Sequence, residues 1–133
     1  MVDFKQKEKY DINDLLEIMR LLRAPGGCPW DAQQTHMSIR KNLIEETYEV
    51  IEAIDKDDKE LMTEELGDLL MQVVFHAQME QEAGNFDFGD VTDGVCKKLI
   101  ERHPHVFGEV EVSGVGDVLN NWDAIKRRSK RQK

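Results

Sequence analysis

The sequence predicts an all-α fold, a helical bundle, and three observations support that prediction. Apolar residues recur at helical spacing along most of the chain, and strand-like alternation is confined to the EVEV stretch at 109–112. The amphipathic segments are joined by short links, as in helical bundles. Hydrophobic residues make up 40% and charged residues 34% of the 133 residues, a composition typical of chains that fold. We therefore expect one all-α domain over residues 1–133.

Each predicted helix is defined by its apolar face and its termini. The helices cover about residues 11–23, 37–55, 59–83 and 89–102, with a fifth from residue 115 or 117 into the basic tail at 126–133. The Gly- and Pro-rich stretch 24–35 ends the first helix and predicts a loop. Asp57 and Glu60 are spaced as a capping box before the third helix, and Gly84 is its predicted stop. After Gly67 this helix is apolar on nearly every side, which predicts burial all round. The glycine itself costs helix propensity, which is tolerable if a neighbouring helix approaches closely there.

Charge and composition exclude several classes of protein. Residues 1–125 contain 27 acidic and 12 basic residues, a net charge of −15, so nucleic acid is not an expected partner. The basic tail leaves a weak RNA or protein contact open. No apolar run approaches the roughly 18 residues that span a membrane, and the first residues lack the apolar region of a secretory signal. Two cysteines, Cys28 and Cys96, make no disulfide framework, so we expect a cytoplasmic protein with reduced thiols.

Two acidic residues of the second helix stand out by position. Glu46 falls at the border of the apolar stripe that includes Val50, and Glu49 projects from the same side one turn later. Taken alone, this ExxE pair has an ordinary alternative, because acidic solvent-exposed helix faces are common.

The third helix repeats the spacing in an apolar setting. Glu65 and Asp68 are also three residues apart, and Asp68 shares its direction with Phe75 and Met79. Two carboxylates about 4 Å apart repel by about 4 kcal/mol at an effective dielectric of 20. If the two helices pack antiparallel across their short link, both acidic pairs converge on one point. Hard oxygen ligands predict Mg²⁺ there, or Mn²⁺ in its place. A di-iron centre is disfavoured, because no glutamate has a histidine three residues later.

Four stretches, taken together, resemble the MazG family of nucleoside triphosphate pyrophosphohydrolases. They are CPWD at 28–31, EETYE at 45–49, ELGD at 65–68 and HPHVFG at 103–108. The resemblance covers about residues 12–127 and is nearest the first of the two copies in longer members. It implies an all-α NTP pyrophosphatase fold that dimerises through its helices. It also implies hydrolysis of an NTP or dNTP to the monophosphate and pyrophosphate, and a house-cleaning role on non-standard nucleotides.

The resemblance also implies roles for individual residues. The implied metal ligands are Glu46, Glu49, Glu65 and Asp68, and the first two of these are also implied to be catalytic. Glu45 is implied to be catalytic as a general base, or to support the metal ligands from just outside them. The implied substrate-binding residues are Lys98, Arg102, Asn121, Trp122 and Lys126. Lys98 and Arg102 share a helix face that suits phosphate, but a solvated helix end explains them equally.

Trp30 and the HPH stretch have structural alternatives. Trp30 is a candidate for stacking on a base, and we prefer the alternative in which it plugs the end of the bundle. The stretch 103–107 is interpreted as a stiff structural loop.

Two other functions compete with the enzyme. One is a non-catalytic dimerisation or nucleotide-sensing module that keeps the fold, and the other is an interaction protein whose acidic face mimics nucleic acid. A homodimer is expected, since the apolar helices leave more surface than one small bundle hides.

Overall fold

A computed structural model describes the backbone of residues 1–131 and the side chains of residues 1–129. Within them all regular structure is helical, so the all-α prediction is confirmed. The chain forms two compact units, Met1–Phe88 and a second that starts at Gly89. The expectation of one domain over residues 1–133 stays a prediction, and the last two residues of the basic tail lie outside the described part.

The first unit begins with two helices of unequal length. Helix α1 spans Ile12–Arg23, and the Asp11 carboxylate caps it by accepting a hydrogen bond from the backbone N–H of Asp14. The Asp14 carboxylate in turn accepts a hydrogen bond from the backbone N–H of Asp11, which completes a capping box. Helix α2, Pro29–Gln33, lies in the stretch predicted to be a loop. The glycines and Pro25 do end α1, but Pro29 stands at the first helical position, where its missing N–H costs nothing.

Helices α3, His36–Asp55, and α4, Lys59–Glu82, form the centre of the first unit. They are antiparallel, because the link is three residues long and His36 at the start of α3 contacts Glu80 near the end of α4. The predicted cap of α4 was wrong by one residue: Asp58, not Asp57, accepts from the N–H of Leu61. Asp57 instead takes a left-handed conformation in the link. Gly84 has φ +78 just after the C-cap of α4, as its predicted role as a stop requires.

The core of the first unit lies where α1, α3 and α4 meet. Its buried members are Met19, Ile39, Val74, Phe75 and Met79. The prediction that α4 is buried all round after Gly67 was wrong for the described chain, since Leu70, Met71 and Val73 are exposed. A Cβ at Gly67 would have no described atom within 4 Å, so close approach of a neighbouring helix does not account for this glycine in the described chain.

Three helices follow, and all but Phe88, the first residue of α5, belong to the second unit: α5, Phe88–Arg102; α6, Pro104–Phe107; and α7, Val115–Arg131. Residues 103–107 were expected to form a loop, but Pro104 starts the single helical turn of α6, again at the first helical position. The EVEV stretch forms no strand in the described chain. Ser113 donates from its N–H and its hydroxyl to the Asp117 carboxylate, which fastens the start of α7.

No helix among residues 1–131 combines the length and the apolar character needed to cross a lipid bilayer.

Candidate metal centre

Four carboxylates of the first unit converge between α3 and α4. Glu46 and Glu49 come from α3, and Glu65 and Asp68 come from α4. One oxygen from each of the four lies within 4.8 Å of the others. The i, i+3 spacing places each pair on one side of its helix, and the antiparallel packing brings the pairs face to face. The predicted convergence is therefore present, whereas the roles of the four side chains stay predictions.

Two oxygens of this group are not satisfied by the described part of the protein. One oxygen of Glu46 and one of Glu65 are buried, and neither has a hydrogen-bond partner among the described residues. Glu65 as a whole is only 9% exposed. None of the ion pairs formed by the described residues includes a member of the group. Buried carboxylates without a partner are costly, so the site requires protons or cations.

The acid–base properties of the group reflect this crowding. Hydrogen bonding to Glu49, with burial and the charges of the neighbouring carboxylates added, raises the pKa of Glu65 to about 7. Burial, followed by the charges of Glu49 and Asp68, raises the pKa of Glu46. Both shifts show that the fully ionised group is unfavourable without a counter-ion. A cluster of carboxylate oxygens is the donor set that hard divalent cations prefer, so the residues present fit a metal ion.

Glu45 lies outside the four-carboxylate group. It is exposed on α3, and its charge contributes to the raised pKa of Glu46. Its side chain is therefore near enough to act electrostatically but is not among the converging oxygens. The role of Glu45 as a general base, or as a residue that supports the metal ligands from outside, stays a prediction.

The second unit brings together some of the predicted substrate-binding residues. The guanidinium carbon of Arg102, at the end of α5, lies 5.5 Å from the ring centre of Trp122 on α7. The Nε of Arg102 is buried and has no hydrogen-bond partner among the described residues. Lys98 and Lys126 are exposed, and Asn121 is half-buried. No ion pair of the described residues includes Lys98, although its neighbour Lys97 pairs with Asp93 at 2.8 Å.

Trp30 does not plug the bundle, contrary to our preferred interpretation. Its side chain on α2 is 54% exposed. Arg23 fixes this segment from α1: its side chain is 8% exposed, donates to the carbonyl of Asp31 at 2.6 Å and pairs with Glu82 on α4. Because α2 is short and held through its backbone, the indole ring is left facing outward. The stacking role of Trp30 stays a prediction.

Sequence reasoning did not predict two histidine contacts. His36 and His76 lie with their Nδ1 atoms 2.6 Å apart and their rings stacked. His103 lies with its ring centre 4.8 Å from that of Trp122. The HPH triplet directly after Arg102 was a signal for the second contact, but helix periodicity does not show that residue 122 returns to it.

Comparisons with known proteins agree with the motifs. Residues 34–107 match the MazG nucleotide pyrophosphohydrolase domain model. The chain is 49% identical over 123 residues to the nucleoside triphosphate pyrophosphohydrolase of Escherichia coli strain K12, covering 92% of this chain and 47% of that protein. It is 50% identical over 120 residues to the nucleoside triphosphate pyrophosphohydrolase/pyrophosphatase MazG of Thermotoga maritima, covering 90% of this chain and 46% of that protein.

A solved structure shows the same fold. The crystal structure of a MazG-related protein from Thermotoga maritima aligns with TM-score 0.71 and 28% identity, over 87% of this chain and 99% of that one. The chain spans about half the length of the two curated relatives above. The matched domain model includes all four converging carboxylates and more than half of the 133 residues. On these grounds the chain belongs to the MazG nucleotide pyrophosphohydrolase domain family.

Proposed function

We propose that this protein is a Mg²⁺-dependent nucleoside triphosphate pyrophosphohydrolase, which converts NTPs or dNTPs to monophosphates and pyrophosphate. The observation that carries the proposal is the group of four carboxylates within 4.8 Å, two of them with buried oxygens that lack partners. A triphosphate carries about four negative charges, so an acidic surface can bind it only through cations. The family and the names of the relatives support the same activity.

In this mechanism Glu46, Glu49, Glu65 and Asp68 hold the divalent ion. When bound, Mg²⁺, or Mn²⁺ in its place, supplies charge neutralisation and Lewis acidity for attack by water at the α-phosphorus. The new bond joins the water oxygen to the α-phosphorus, and the bond to the oxygen between the α- and β-phosphorus breaks. Glu45 accepts the water proton, and pyrophosphate leaves. Lys98 and Arg102 bind phosphate oxygens, Arg102 as a two-pronged donor.

The base-binding part of the proposal concerns three aromatic and polar residues. Trp30, in the first unit, is half-exposed and suits stacking on a base. In the second unit, Asn121 and Lys126 on α7 are separately proposed as nucleotide contacts, as the family resemblance implies. Which bases are accepted is tested by a turnover screen over standard and damaged nucleotides. Preferential hydrolysis of damaged nucleotides supports a house-cleaning role, and equal rates contradict it.

The deciding experiment measures products and not only turnover. Incubation with NTPs and Mg²⁺ is expected to release pyrophosphate and the monophosphate in equal amounts. The substitutions Glu49→Gln and Asp68→Asn are expected to abolish this release, whereas Glu64→Gln, an exposed neighbour of Glu65 outside the group, leaves it intact. Release of orthophosphate contradicts the assigned reaction. Calorimetry that shows binding of Mg-NTP without turnover supports the non-catalytic sensing module instead.

We also propose that two copies of the chain form a homodimer through α3 and α4. Helix α4 exposes Leu66, Leu70 and Val73, and α3 exposes two further apolar residues, Tyr48 and Ile51. Each set follows the i, i+4, i+7 or i, i+3 spacing of a helix face, and such faces mark protein–protein contacts. Analytical ultracentrifugation is expected to give a dimer at micromolar concentration, and Leu70→Glu is expected to shift it towards monomer. A wild-type monomer contradicts the proposal.

The cytosolic location expected from the sequence stays a prediction.

A further inference from the structure

At the end of α5, two aromatic rings and a guanidinium contact one another in a way that the sequence motifs do not assign. Three residues of the second unit are linked: Arg102, His103 and Trp122. The guanidinium carbon of Arg102 lies 5.5 Å from the Trp122 ring centre, a cation–π distance. The rings of His103 and Trp122 have centres 4.8 Å apart and planes at 78°, an edge-to-face pair. Trp122 therefore contacts both residues.

His103 is itself held by the backbone. Its Nδ1 lies 2.6 Å from the carbonyl oxygen of Leu99 in the last turn of α5. A carbonyl only accepts, so Nδ1 carries the proton and donates it, which fixes the orientation of the ring. The carbonyl is one of the four that a helix leaves without a backbone partner at its C-terminus. The imidazole is thus anchored to α5 and supports the indole from α7.

Arg102 is the unpaired member of this arrangement. No ion pair of the described residues includes it, and its buried Nε has no partner among them. The neighbouring acid, Glu101, accepts a hydrogen bond from Ser129 at 3.2 Å. A guanidinium that is oriented by an aromatic ring and left without a carboxylate suits an oxyanion, which it can bind with two parallel hydrogen bonds.

We propose that His103 is a positioning residue that acts through Trp122 to orient the Arg102 guanidinium for a phosphate oxyanion. The identification of that oxyanion as a triphosphate rests on the proposed function. In this arrangement Trp122 serves the phosphates by holding Arg102. The effect of losing His103 or the indole is therefore independent of the base.

The test compares binding of ligands with and without a base. Dissociation constants for inorganic tripolyphosphate, ATP and CTP, each with Mg²⁺, are measured by calorimetry on the full chain. His103→Ala is expected to weaken all three by a similar factor of about ten. Combining it with Arg102→Gln is expected to add little to Arg102→Gln alone, since both changes remove one interaction. Weaker ATP binding with unchanged tripolyphosphate binding overturns the proposal, as does full additivity.

A second pair of variants guards against a change that only damages the fold. Trp122→Phe keeps an aromatic face and is expected to lose less tripolyphosphate binding than Trp122→Leu, which is expected to lose about as much as His103→Ala. Equal loss in both Trp122 variants overturns the proposal. In a Trp30→Phe background Trp122 is the only tryptophan, and its emission is expected to change with His103→Ala. Unchanged emission contradicts the contact.

Failure of this inference and failure of the proposed function give different results. If the wild type releases pyrophosphate from NTPs but does not bind tripolyphosphate, the inference fails and the function stands. If tripolyphosphate binding depends on His103 as described but no NTP is hydrolysed, the function fails and the positioning role stands.

Discussion

The two units of the chain differ in both charge and core. The first unit, Met1–Phe88, contains 20 acidic and 9 basic residues, and it buries a cluster of apolar side chains where three helices meet. The second, from Gly89, contains 7 acidic and 9 basic residues. Among its described residues only Ile125 is buried, and α5 buries none. The net charge of −9 for the chain therefore combines −11 on an acidic unit suited to cations with +2 on a slightly basic unit suited to anions.

The largest expected effect is on the free energy of unfolding, and it differs between the units because the first has the larger buried core. Phe75, 4% exposed, packs in the first core, so Phe75→Ala is expected to lower the free energy of unfolding by about 3–5 kcal/mol. Val91 is 39% exposed on α5, so Val91→Ala is expected to change it by less than about 0.5 kcal/mol. Urea denaturation measures both. An equal loss for Val91→Ala means that α5 is covered in solution.

A divalent cation is expected to stabilise the first unit through its acidic group. At a Mg²⁺ concentration 100 times the dissociation constant, linkage raises the free energy of unfolding by about 2.7 kcal/mol. Thermal unfolding with and without Mg²⁺ measures the gain, which Asp68→Asn is expected to reduce and the exposed control Glu64→Gln to leave intact. No metal-dependent rise in Tm favours the interaction protein that mimics nucleic acid.

The basic unit is expected to respond to loss of a single cation by weaker substrate binding. Lys98 is unpaired in the described chain, and we expect Lys98→Gln to raise KM about tenfold, as for loss of one charge-assisted hydrogen bond. Lys97, the adjacent lysine on α5, pairs with Asp93 and serves as the matched control. Steady-state kinetics of Lys97→Gln are expected to match the wild type. Equal effects of both substitutions imply a general charge effect.

The last expected effect is the pH dependence of the metal-free protein. The folded pKa of Glu65 is raised from 4.5 to about 7, so between these values the folded protein keeps a proton that the unfolded chain has lost. Stability from this group is therefore present at low pH and is lost as the pH rises through about 7. Urea denaturation in EDTA at pH 5 and pH 8 measures it against Glu65→Gln, which lacks the titration. Parallel pH profiles for the two proteins contradict the shift.

Local pattern was enough to locate most helices and the four acids. Apolar periodicity found α1, α3, α4, α5 and α7 within a few residues, because the face a helix buries repeats in its own sequence. The i, i+3 acids were visible for the same reason, and the short link between α3 and α4 made their convergence a sound prediction.

Tertiary packing determined the features that local sequence pattern did not predict. The N-cap of α4 is Asp58 and not the predicted Asp57, the side chain of Trp30 is exposed, and one apolar face of α4 is exposed. The contact between His103 and Trp122 joins residues nineteen positions apart in the sequence. The sequence by itself determined which residues could share a helix face and carry charge. Only the fold decided which faces meet, because burial and long-range pairing depend on how helices pack against one another.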